Sequence, residues 1–193
     1  MPEKPAIIVS TLVLLVCVCL QLLPYEMQLL LRFERAAFID HELWRLLSGH
    51  FIHLSWNHLL LNVTGLILLL FLFESAWLAK DILCGGIFAA LSISLGIYLL
   101  FPNIGWYVGL SGVLHSWFAI ASVRLWPSQP RFAGILLSVL FAKLVFENIS
   151  GTATDTEWLG GEVIVQAHWL GASSGLMYAL LYQMAFHGLS KHA

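Results

Sequence analysis

Ala167-His168-Trp169-Leu170-Gly171-Ala172-Ser173-Ser174-Gly175 places a histidine inside an apolar run covering about 163–187. A bilayer span needs about 20 apolar residues, so this run is long enough to cross. An ionisable group within a span must find a partner or water. Gly171 and Gly175 form a small-xxx-small face that admits a second helix closely, and His168, one turn before Gly171, shares that face. The segment therefore belongs to a helical bundle in which a neighbouring span satisfies the imidazole.

Composition points the same way. Of 193 residues, 60% are hydrophobic and only 10% charged, where soluble domains carry about 25% charged residues. Mean hydropathy is +0.86. These values predict a polytopic membrane protein with a single domain over 1–193. The net charge of −2 and the lack of any basic block exclude nucleic-acid binding. Cys17, Cys19 and Cys84 sit in apolar runs, without the spacing of a disulfide framework or metal site.

Working outward, the pattern predicts an all-α membrane bundle of six spans, at about 6–23, 55–74, 81–101, 111–126, 131–149 and 163–187. The first run is long enough to span and no small-residue cleavage site follows it, so it reads as a retained helix. Residues 24–52 mix Arg32, Glu34, Arg35, Asp40, Glu42 and Arg45 with large apolar side chains, as an amphipathic hairpin lying on the membrane does. An N-terminus inside puts Lys4, Lys80, Arg124, Arg131 and Lys191 in the cytoplasm, against Arg32, Arg35 and Arg45 outside, and the loop 151–162 is acidic. The bias favours both termini inside. Ser111, opening the fourth span, and His168 then lie at one depth, near the outer face.

Ser111 stands between Gly109-Leu110 and Gly112. Alone it reads equally as a helix N-cap. The free N–H groups of a helix start, and a histidine at matching depth, make it a candidate nucleophile with His168 as base. The sixth span holds no acid near His168, so the reading is a Ser–His dyad. His58 and Asn62, at i and i+4, share a helix face. They either donate to a developing oxyanion or hold helices together. His41, His50, His53 and His58 crowd one segment, but no His-Glu-x-x-His pattern occurs and His53 and His58 do not share a helical face. No metal and no other cofactor is expected. Lys143 and Glu147, i and i+4 in the fifth span, either pair internally or recognise substrate.

Together these residues resemble the rhomboid family of intramembrane serine proteases over nearly the whole chain. Trp44-Arg45 looks like the family's pair in the membrane-lying first loop. His53, His58 and Asn62 are similar to its histidine-rich second-helix entry, Gly109-Leu110-Ser111-Gly112 to its nucleophile motif, and Ala167-His168 with Gly171 and Gly175 to its base motif. The resemblance implies Ser111 and His168 as catalytic residues and Asn62 and His58 as oxyanion donors, with His53, Gly109 and Gly112 in support. Many rhomboids carry tyrosine four residues after the nucleophile, where this chain has His115. Gly-Leu-Ser-Gly-Val-Leu-His at 109–115 looks like the rhombosortase branch. That branch implies partners in the lipid bilayer: secreted bacterial proteins with a C-terminal, Gly-Gly-containing transmembrane tail. It removes the tail and passes the new C-terminus to water or a membrane amine. It implies a bacterial inner-membrane enzyme of protein sorting, opening to the periplasm; the alternatives within the same resemblance are a general rhomboid protease of single-span membrane proteins and a non-catalytic rhomboid-like client-binding protein. His115 either packs in the tyrosine's place or supports acceptor activation, and the charged Lys143/Glu147 pair departs from the fairly apolar fifth helix of general rhomboids.

Overall fold

The computed structural model describes residues 3–150 and 156–189. Lys191 and the first part of the acidic loop, 151–155, lie outside the described residues. The protein is mostly helical. In chain order it contains α1 (Lys4–Gln21), α2 (Tyr25–Leu29), β1 (Phe33–Glu34), α3 (Arg35–Ile39), α4 (Arg45–Ser48) and a 3-10 turn, Gly49–Phe51. There follow α5 (Trp56–Leu72), a π turn, Asp81–Gly85, that runs into α6 (Gly86–Leu100), β2 (Trp106–Tyr107), α7 (Ser111–Leu125), α8 (Pro130–Ser150), α9 (Thr156–Leu159) and α10 (Val165–Leu189).

Among the described residues, three helical stretches are each long and apolar enough to cross a membrane alone: Lys4–Gln21, Asp81–Leu100 and Pro130–Ser150. Arg45–Phe51 with Trp56–Leu72 passes as a pair bent by 90°. The outer helices expose large apolar side chains, among them Leu12, Leu68, Phe71, Ile135, Val139 and Met184. Such side chains suit lipid tails, and within the body of each helix the backbone polar groups bond one another. α7 behaves differently. Most of its residues from Gly112 to Leu125 are buried, because the other helices surround it.

The segment 24–52 is a run of short helices stapled to α6. Arg35 donates to the carbonyls of Ile97, Tyr98, Phe101 and Ile104 at 2.7–3.0 Å. It thereby satisfies the orphan carbonyls at and just beyond the end of α6. The Nε2 of His50 lies 3.0 Å from both Ala90 O and Ser94 Oγ, and Ser94 donates to Leu46 O. Arg45 donates to the carbonyls of Leu29 and Arg32 and pairs with Glu42. β1 and β2 pair antiparallel, Phe33 opposite Tyr107. No strand was expected here, since two residues cannot display an alternating pattern. At the far end of the bundle, Arg124 Nη2 donates to Asp81 Oδ1 at 2.6 Å, joining the π turn to the end of α7.

Candidate active site

The site begins with a helix contact. A Cβ added at Gly171 would lie 2.0 Å from Gly112 O, and one at Gly175 would lie 2.3 Å from Ser116 O. α7 and α10 therefore meet backbone to backbone, as small residues allow. At that separation Ser111 Oγ lies 2.9 Å from His168 Nε2. This is hydrogen-bond reach for a hydroxyl donating to an imidazole.

The other ring nitrogen has a partner the sequence reading missed. His168 Nδ1 lies 2.9 Å from Glu147 Oε2. The sixth span holds no acid, as expected, but α8 brings one across. The acid-free dyad is therefore corrected to a line of three groups. Lys143 Nζ donates to Glu147 Oε1 at 2.5 Å and to His115 Nε2 at 2.9 Å. His115 Nδ1 donates to Ser111 O at 2.7 Å. The His115 ring stacks on His168 with centroids 4.3 Å apart and planes 13° apart. Ser111, His168, Glu147, Lys143 and His115 thus close a ring of hydrogen bonds between α7, α8 and α10.

Behind Ser111, Gly109 has φ +122°, and a Cβ there would meet His58 Cε1 at 2.8 Å. Conformation and space both require glycine. Tyr107 Oη donates to Gly109 O at 2.7 Å. Burial holds that hydroxyl above its ordinary pKa, so it stays a neutral donor. His58 Nδ1 accepts from Leu54 N at 3.3 Å, which puts the ring proton on Nε2. Asn62 Nδ2 donates to His58 O at 3.0 Å and keeps a second N–H. His53 packs edge-on against His58, centroids 5.1 Å apart.

His58, Asn62, Ser111, His115, Lys143, Glu147 and His168 all line one cavity of about 770 Å³. Its remaining walls are largely apolar, with Leu61 and Leu68 from α5, Phe118 from α7, and Val139 and Leu140 from α8. The Rhomboid domain model matches residues 40–185, which is most of the chain. This chain belongs to the rhomboid family. Rhomboids are intramembrane serine proteases, and this rhomboid is accordingly a membrane protein of a hydrolase family. No curated protein matches it.

Three of the crowded histidines do not line this rhomboid's cavity, and of these His53 is buried behind His58. His41 is exposed on a turn with φ 63°, and His50 is bound to α6. His115, Glu147 and His168 do carry ligand-type atoms within 4.8 Å of one another. The ammonium of Lys143 already bonds two of those residues and so supplies the positive charge there from the chain itself.

Proposed function

We propose that this rhomboid is a serine endopeptidase of the rhombosortase branch, a single domain over 1–193 that crosses the membrane six times, with α1, α5, the stretch Asp81–Leu100, α7, α8 and α10 as spans. The observation that carries the reading is the 2.9 Å contact of Ser111 Oγ with His168 Nε2 at the edge of an apolar cavity. Ser111 Oγ attacks the scissile carbonyl while its proton passes to His168 Nε2. The new C–O bond raises an oxyanion, held by Asn62, His58 and the Ser111 N–H. The C–N bond then breaks, the leaving amine takes the proton from His168, and an acyl-enzyme remains on Ser111. Water or a membrane amine attacks that ester, giving its proton to His168, and Ser111 leaves with it. Gly109 and Gly112 keep the loop close enough for this geometry.

His115 in place of tyrosine, and the charged Lys143/Glu147 pair, support the rhombosortase branch over a general rhomboid. Its partners are membrane-anchored bacterial proteins with a C-terminal, Gly-Gly-type transmembrane tail, and the apolar walls of α5 and α8 suit such a tail. Lys143, facing the cavity, recognises polar groups flanking it. The enzyme sits in the bacterial inner membrane with both termini cytoplasmic and its site open to the periplasm. The same apolar walls also suit any single-span protein, which is the general-rhomboid reading. Ser111→Ala and His168→Ala each abolish cleavage of a tailed substrate, and retained cleavage in either removes the mechanism. Equal cleavage of untailed single-span proteins favours the general reading, and the mass of the new C-terminus separates hydrolysis from amine transfer.

A further inference from the structure

We propose that Glu147 is the positioning acid of this site: from α8 it fixes the tautomer and orientation of His168 and stabilises the imidazolium formed when Ser111 gives up its proton. The inference rests on the Ser111–His168 reading. Glu147 Oε2 and His168 Nδ1 are 2.9 Å apart, with only 17% and 5% of the two side chains exposed. An Nδ1–H held by a carboxylate leaves Nε2 as the lone-pair nitrogen, which is the one 2.9 Å from Ser111 Oγ. Without that carboxylate a neutral imidazole divides between two tautomers, and one of them presents N–H to the hydroxyl and cannot accept its proton.

Glu147 is itself held. Lys143 grips its second oxygen at 2.5 Å and is anchored in turn on His115 at 2.9 Å. The groups facing His168 are Ser111 and His115 from α7, Lys143 and Glu147 from α8, and His58 from α5. Glu147 alone among them is an acid, so it alone offsets a positive charge formed on the ring. A pair serving only to neutralise Lys143 in the bilayer would not need to aim one oxygen at His168 Nδ1.

The test uses the full chain in proteoliposomes with a tailed substrate, comparing wild type, Glu147→Gln and Glu147→Asp. Glu147→Gln is expected to lower kcat by about 100-fold, less than the roughly 10⁴-fold loss when the buried acid of a soluble triad is neutralised. KM stays near wild type. The acid limb of kcat/KM moves to lower pH, because removing the negative charge disfavours protonation of the ring. Glu147→Asp recovers part of the rate. A loss confined to KM with an unmoved pH limb makes Glu147 a substrate contact and overturns the inference, as does a wild-type kcat. A second readout needs no turnover. In a Ser111→Ala background, nitrogen-15 NMR of His168 is expected to report Nδ1–H with Glu147 present and a tautomer mixture with Glu147→Gln, and an unchanged signal overturns the proposal. Cleavage by Ser111→Ala itself sinks the underlying serine-protease reading. Inactive Ser111→Ala beside fully active Glu147→Gln sinks only the role of Glu147.

Discussion

Gly171 approaches Gly112 so closely that an added Cβ would sit 2.0 Å from the Gly112 carbonyl oxygen. That backbone contact, one residue from Ser111, sets the distance between the hydroxyl on α7 and the imidazole on α10. Interiors are packed too tightly to absorb an extra methyl at such a point. Gly171→Ala therefore forces the helices apart, at about 1–3 kcal/mol for overpacking. We expect a lower unfolding temperature in detergent and at least about tenfold slower labelling of Ser111 by a fluorophosphonate, since 1.4 kcal/mol corresponds to a factor of ten. Gly105, with nothing within 4 Å of a built Cβ, is the control, and Gly105→Ala should leave both unchanged.

Asn62 keeps one N–H free beside Ser111 in the shared cavity, after spending the other on His58 O. An oxyanion donor is worth about 3–4 kcal/mol in the transition state and little in the ground state. Asn62→Ala should thus lower kcat by roughly 10²-fold with KM nearly constant. An effect on unfolding temperature with no effect on kcat would assign Asn62 to helix cohesion instead.

The α7–α10 contact was readable because its signals are local to each helix: glycines four apart, and a histidine one turn away. The predicted run at 163–187 differs from α10 (Val165–Leu189) by about one turn or less at each end, and 55–74 from α5 (Trp56–Leu72) by less. The Glu147–His168 bond was not readable, since 21 positions and the relative rotation of α8 and α10 decide it. The acid stands on α8 and the histidine on α10, so no spacing within one helix links them. Arg35 escaped for another reason: its four partners are backbone carbonyls, which leave no side-chain signature. The signal that was available for Glu147 is its cost, because two charges in a span with no polar neighbours predicted would be expensive.

Arg35 holds four carbonyls at the end of α6 with one planar guanidinium, a geometry that a lysine ammonium cannot reproduce. Arg35→Lys should therefore destabilise the protein by about 2 kcal/mol, the scale of losing charged hydrogen bonds to buried acceptors. The readout is thermal unfolding in detergent. Labelling of Ser111 below the transition should persist, because Arg35 touches no cavity residue.

His115 stacks flat on His168 and bonds both Ser111 O and Lys143 Nζ. His115→Phe keeps a ring to stack and removes both hydrogen bonds, each worth about 1 kcal/mol net. We expect kcat to fall by about threefold to tenfold. The ratio of hydrolysed to amine-transferred product should stay fixed, as a packing role requires. A changed ratio, read by mass spectrometry of the new C-termini, would show His115 acting on the acceptor.

Lys143 explains why three ligand-type residues can sit together without requiring an ion. His115 Nε2 and Glu147 Oε1 both accept from its ammonium, and His168 Nε2 faces Ser111. A divalent cation would have to displace that ammonium and break the hydrogen-bond ring around Ser111. Wild-type cleavage should therefore proceed at an unchanged rate after exhaustive dialysis against a chelator. Lys143→Met removes the internal cation and leaves His168 as the remaining partner of Glu147 among the described residues. Its carboxylate then gains freedom, and kcat should fall about tenfold, the equivalent of 1.4 kcal/mol. Choice among substrates with differently charged flanking residues should change as well. Activity that disappears on chelation and returns with zinc would mean that a metal, rather than Lys143, organises these side chains.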